Sequence, residues 1–208
     1  MQNILLPTSY LAPISYYSCV VSQNKITLEQ HENYIKQTFR NRCSIYAANG
    51  KVDLSIPIQK YSNHTIIKDI RIDNNQNWQK LHWRSIASAY GSSPFYIYYD
   101  YELLPFFEKK VDFLWDFNEA LQTKILEFLK ISIHPAFTTS YLSEYPNTID
   151  LRSSTHSKKN ELFWPLPSYQ QVFQNKYGFI SNLSIVDLLF NMGPESKNHL
   201  KTVKLIKS

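Results

Sequence analysis

The strongest constraint on how this chain can fold lies at its start. Ile4-Leu5-Leu6 is a short apolar run stopped by Pro7, and Pro13 closes the loop that follows. Residues 14–21 then set Ile14, Tyr17 and Val21 at helical spacing, and residues 25–29 alternate as a strand. Strand, loop, helix and strand in that order predict a βαβ opening with a parallel pair.

The next signal is antiparallel. Residues 43–48 and 51–57 flank Asn49-Gly50, the pair that supplies positive φ at both central positions of a type I′ turn. Val52, Leu54 and Ile56 share one face of the second arm; Lys51, Asp53 and Ser55 share the other. Residues 65–72 carry β-branched side chains and predict a further strand.

From Trp78 the period changes, with Trp78, Leu81, Ser85, Ile86 and Ala89 on one helical face and Gly91 as the stop. Further helices are expected over residues 101–110 and 118–130, the latter capped by Asn118 and burying Leu121, Ile125, Phe128 and Leu129. Residues 137–142 read as a strand and 153–160 as a polar loop. Residues 184–192 read as a helix with Ser184 as N-cap and Asp187 completing a capping box, ended by Gly193. The expectation is a single mixed α/β domain over residues 1–208, a βαβ-like parallel core with an inserted antiparallel hairpin and several helices.

Several function classes drop out on composition. The chain has only 4 glycines, with neither GxGxxG nor a Walker-type loop to cradle phosphates. Its histidines are scattered, and no HExxH, CxxC or GxSxG occurs, so no metal site or nucleophile elbow is predicted and no cofactor is indicated. The net charge of +5 favours anionic partners by long-range attraction, and residues 197–207 form a solvated basic stretch. The start of the chain lacks the basic n-region and long apolar run of a signal peptide, and no run is long enough to span a bilayer. With Cys19 and Cys43 in apolar runs, a cytoplasmic protein with reduced, buried thiols and no membrane insertion is expected.

The order of motifs resembles the WbqC-like protein family. The matching pieces are the opening strand with Pro7-Thr8-Ser9-Tyr10-Leu11-Ala12-Pro13, then Glu29-Gln30-His31-Glu32, Arg40-Asn41-Arg42, Asn49-Gly50 before Leu54-Ser55-Ile56-Pro57, and Asn182-Leu183-Ser184-Ile185-Val186-Asp187-Leu188-Leu189-Phe190-Asn191. They extend over essentially the whole chain, which is similar to a compact form of the family. The resemblance implies a cytoplasmic transferase-type enzyme in polysaccharide or O-antigen biosynthesis, acting on activated sugars or their substituents. The opening is also similar to that of HIGH-motif nucleotidyltransferases, with a Rossmann-like core. No histidine occupies residues 12–16, so that chemistry is not carried over.

The candidate site centres on residues 30–42. If extended, the run sets Lys36, Arg40 and Arg42 on one face, with Gln37 and Asn41 on the other. Arginine binds phosphate or carboxylate bidentately and lysine adds a point charge, so an anionic small molecule is the expected ligand, such as a nucleotide sugar or activated acyl donor. His31 is the candidate for moving a proton, and Tyr10 is expected to line the same pocket. Asp187 is a second candidate catalytic carboxylate, against its structural reading as a capping residue. Trp83 and Arg84 on the first long helix are further candidate contacts, against a core reading for Trp83. The tyrosine-rich run 96–101 could stack carbohydrate or single-stranded nucleic acid, but reads rather as a partly buried strand or helix entry, or as an interface in a homodimer. The alternative function, resting on the basic charge and the interleaved aromatics, is a non-catalytic binding protein for nucleic acid or an assembly partner; no RRM, KH or helix-turn-helix signature is present, and the family resemblance favours the enzyme.

Overall fold

The computed structural model describes residues 3–23, 25–155 and 166–203. In chain order its elements are β1 (Asn3–Pro7), α1 (Ile14–Ser22), β2 (Ile26–Glu29), β3 (Arg42–Ala47), β4 (Gly50–Ser55), α2 (Trp78–Tyr90), α3 (Tyr96–Glu108), α4 (Leu114–Phe128), β5 (Ala136–Phe137), β6 (Thr148–Asp150), α5 (Gln174–Tyr177), α6 (Ile185–Met192) and α7 (Ser196–Thr202).

The βαβ opening forms as expected. β1 and β2 pair in parallel, Ile4 with Ile26 and Leu6 with Leu28. β5 joins the far side of β2 and β6 the free side of β1, both parallel, giving the order β5-β2-β1-β6. Successive strands therefore step outward from β1 to β2 to β5, and the chain then returns to the other flank of β1. Such a reversal opens a crevice at the carboxyl ends of the strands. Ile4, Leu5 and Leu6 are all buried, which is why β1 reads as a continuous apolar run rather than an alternating one.

α1 starts at Pro13 without a cap of its own. Its first free N–H groups are taken from far along the chain: Ile14 N donates to Leu183 O at 3.0 Å and Ser15 N to Asn182 Oδ1 at 2.9 Å. Asn182 reaches this position in a left-handed conformation, φ 53°, which asparagine tolerates better than most residues. Ser184 then donates to Leu11 O at 2.8 Å and accepts from Val186 N, as the predicted N-cap of α6. The capping box is only half made. Ser184 N donates to Ser44 O, and Asp187 turns its carboxylate elsewhere.

The hairpin of β3 and β4 is antiparallel, with Cys43 opposite Leu54 and Ala47 opposite Gly50. Its turn is not type I′. Positive φ falls on Gly50 (99°) and not on Asn49, so the left-handed residue sits at the strand start, as in a glycine bulge. Leu54 and Ile56 are buried while Lys51, Asp53 and Ser55 are exposed, as the alternation requires.

Other elements depart from expectation. Residues 65–72 form a 3₁₀ turn at Ile67–Asp69 with isolated bridges on either side, because the segment crosses the molecule rather than pairing along it. α3 begins at Tyr96, and α4 begins at Leu114. Asn118 therefore lies inside α4, buried, donating to Arg40 O at 2.8 Å instead of capping. On α2 the inward position is His82, whereas Leu81 is 64% exposed. The strand expected over 137–142 shortens to β5, and the loop expected over 153–160 begins as a 3₁₀ turn at Arg152–Thr155, its remainder outside the described residues. Leu114, Phe117, Leu121 and Ile125 form the buried face of α4, each worth roughly 1.5–3 kcal/mol of transfer free energy.

Candidate functional site

The carboxyl ends of β2 and β6 open into a cleft of about 550 Å³ lined by His31, Glu32, Asn33, Tyr141, Asp150 and Arg152. Its polar groups are fixed by Glu29, the last residue of β2 and fully buried. Oε1 of Glu29 accepts from His31 N and from Thr138 Oγ1, both at 2.8 Å. Oε2 accepts from the Tyr145 hydroxyl at 3.0 Å and from Arg152 Nη1 at 3.3 Å. The end of β2, the residue after β5 and the turn after β6 are thus tied to one carboxylate.

Arg152 is the second anchor. Its Nε donates to both carboxylate oxygens of Asp150 at 3.0 Å, and its Nη2 to Asp150 Oδ2 at 2.5 Å. Nη1 and Nη2 also donate to Leu142 O and Ser143 O, at 2.9 and 3.1 Å. The guanidinium lies 4.9 Å from the ring centre of Tyr141 and 5.1 Å from that of Tyr145, within cation–π range. The hydrogen-bonded Asp150 carboxylate, more than the nearby Glu29, holds the Arg152 proton more tightly than usual. Tyr141, 53% exposed, presents its ring to solvent at the cleft edge.

Arg40 forms the third part. It is fully buried and meets Glu32 side-on, Nε to Oε1 at 2.8 Å and Nη2 to Oε2 at 2.7 Å. It also donates to Thr38 Oγ1 at 3.2 Å and to Arg152 O at 3.3 Å. Burial pushes the Glu32 carboxyl above its usual range, and Arg40 pulls it partly back. Three carboxylates, Glu29, Glu32 and Asp150, thus stand against two guanidinium groups. The cleft is not cationic.

The basic segment is not an extended strand, so its side chains do not share one face. Residues 36–41 run through turns, with Gln37 at φ 61°. Lys36 and Gln37 are exposed, Arg40 points inward, and Asn41 is buried with its Nδ2 donating to Ile56 O at 2.9 Å. Arg42 stands half-buried at the start of β3. Of these residues and His31, only His31 lines the cleft. Tyr10 is fully buried, with its hydroxyl 2.9 Å from His82 Nδ1 and its ring against Phe117. Burial pushes His82 down to about 4. Trp83 packs between Tyr96 and Phe107, and Arg84 faces solvent.

Asp187 is fully buried in a separate network. Its Oδ2 accepts a short hydrogen bond from the Tyr169 hydroxyl and another from Gln171 Nε2 at 2.9 Å. Burial pushes its carboxyl up while these donors pull it back. Among the described residues, no group of three or more His, Cys, Asp or Glu could hold a metal ion, and no helix is long and apolar enough to cross a membrane.

Sequence reasoning missed Tyr141, Tyr145, Asp150 and Arg152. Glu29 and Glu32 stood inside the motif around the conspicuous His31 without being singled out. Arg152 binds a residue 123 positions away, and no local pattern records such a pairing.

Comparison with known proteins came to the same place as the motif order. A family model described as the WbqC-like protein family matches residues 8–160 and 154–199. An uncharacterized protein of Mycobacterium tuberculosis (strain ATCC 25618 / H37Rv), Rv1507c, is 24% identical over 95% of this chain and 96% of its own length. No solved structure matches.

Proposed function

The chain belongs to the WbqC-like protein family, and from that premise we propose that it is a transferase-type enzyme of cell-surface glycan assembly whose cleft holds the sugar unit of its substrate. The observation that carries this reading is the cleft itself: it opens at the carboxyl ends of parallel strands beside the reversal of strand order, where open α/β sheets bind ligands. Its groups suit hydroxyls better than a bare anion. Asp150 offers acceptor oxygens, Asn33 offers both donors and acceptors, and the exposed ring of Tyr141 offers a flat surface to a sugar's C–H face.

His31 is the candidate to take the proton of an acceptor hydroxyl, since its main chain is pinned to Glu29 at the strand end. Arg40 and Arg152 serve the site by holding Glu32 and Asp150, and a donor phosphate would meet the cleft only at its margin. The excess of carboxylates also opposes a nucleic-acid strand lying in the cleft.

Saturation-transfer NMR with free hexoses and nucleotide sugars tests this. Contact to sugar-ring protons is expected with the parent protein and lost in Tyr141→Ala and Asp150→Asn. Sugar contact undiminished in both variants, or none with any sugar tried, would remove the proposal.

A further inference from the structure

α4 and the chain leading from it to β5 line a second, open cavity, of about 360 Å³, that shares no lining residue with the cleft. Leu126, Ile133 and Phe137 make its apolar wall. Its polar groups include Glu119 and Gln122 of α4, with the exposed His134 beside them. The Gln122 acceptor is occupied by the Tyr16 hydroxyl at 3.0 Å.

Glu119 is the unusual member. Its Oε1 accepts from the buried Thr8 hydroxyl at 3.0 Å, just past the end of β1, and among the described residues it has no ion-pair partner. Glu29 and Glu32, the carboxylates of the first cleft, each meet an arginine. The nearest lysine on its own helix, Lys124, is committed to Glu102 and Glu127 at 3.0 and 2.5 Å. Asp116, one turn earlier, adds a like charge, and burial pushes the Glu119 carboxyl up to about 7. A half-buried carboxylate without a counter-ion, lining a hollow that also carries Glu127 but neither lysine nor arginine, fits a cation supplied from outside.

We propose that this cavity binds a small organic cation, a primary ammonium on an apolar body, with the ammonium against Glu119 and the body against Leu126, Ile133 and Phe137. The site is independent of the glycan reading. Phe137, 50% exposed on the edge strand β5 and in edge contact with Trp115, gives an aromatic body a ring to pack on.

The probe is phenethylammonium, titrated calorimetrically into the full chain at about pH 8.5, where Glu119 is ionised. Its neutral and anionic counterparts, 2-phenylethanol and 3-phenylpropionate, are the controls. Saturable binding of the ammonium is expected, with the alcohol at least about tenfold weaker and no binding of the carboxylate. Glu119→Gln, which keeps the acceptor for Thr8, should weaken the ammonium by about tenfold or more, and Tyr141→Ala should leave it unchanged. If Glu119→Gln melts far below the parent, Phe137→Ala replaces it and the same loss is expected. Equal affinity for ammonium and alcohol, no ammonium binding, or full binding by the folded variants overturns the proposal.

Discussion

Truncating Arg40 should unfold the protein's strand ends before it touches any ligand. Arg40 is 0% exposed and its partner Glu32 has a side chain 5% exposed, so Arg40→Ala leaves a carboxylate stranded away from water. It also removes two short charge-assisted hydrogen bonds, at 2.8 and 2.7 Å, and the links to Thr38 and Arg152 O. Breaking a buried pair by deleting one partner costs about 3–5 kcal/mol, a large share of a domain's stability. The cost should fall with acid. Without Arg40 the Glu32 carboxyl, already raised by burial, rises further above its unfolded value. Its protonated form then costs little, so the deficit is smallest at low pH and grows as pH rises through the raised value. Urea melts followed by tryptophan fluorescence at about pH 5.5 and pH 8 would show both effects. Adding Glu32→Gln should recover about 1–2 kcal/mol at the higher pH by removing the stranded charge. A deficit under about 1 kcal/mol at pH 8, or one indifferent to Glu32→Gln, would refute the reasoning.

Other outcomes follow from the same geometry. Glu119→Gln should stabilise the protein by up to about 3 kcal/mol near pH 8.5 and by under about 0.5 kcal/mol near pH 4.5, because a folded value of about 7 lets the unfolded chain ionise first and the penalty grows as pH rises from the unfolded value to the folded one; paired melts across that range check it. Asn182→Ala should lower stability by about 1 kcal/mol by uncovering the α1 terminus, measurable as a shifted urea midpoint. Asp187→Ala should cost about 2–4 kcal/mol, since it strands the buried Tyr169 hydroxyl and one Gln171 N–H, and thermal melts would register it. Asp150→Ala should loosen Arg152 and raise hydrogen exchange at Leu151 and Arg152, whose N–H groups donate to Leu5 O and to Asp150.

Elements whose signal is local were legible. The apolar run of β1, the helical spacing of α1, the alternation of β4 and the Ser184 cap are each written within a few residues and formed where expected. The βαβ order of the first three fixed the parallel core. Positions decided by distant partners were not legible. Leu81 and His82 could exchange roles on a helical wheel, and it is His82 that turns inward, against Tyr10 and Trp78. Asn118 reads as a cap until Arg40 O is placed beside it. β5 and β6 are too short to carry a period, yet they set where the crevice opens. The basic run 36–42 drew attention through its charge, but a guanidinium's role depends on which carboxylate meets it, and Glu32 lay eight residues away across a turn.

The borrowed cap on α1 bears on the order in which the molecule can assemble. The first crossover helix takes the partners for its leading N–H groups from Asn182 and Leu183, 167 or more residues downstream. During synthesis those residues leave the ribosome long after β1, α1 and β2 have done so. A pairing of such sequence separation is the slow kind, because its loop must close before the contact stabilises anything. Until then α1 carries an open terminus, and the hydrogen-bonding groups around Leu11, Ala12 and Ser44 wait for the same segment. The part of the fold that is made first is therefore completed last, and a chain stopped short of Asn182 would hold a βαβ unit it could not finish.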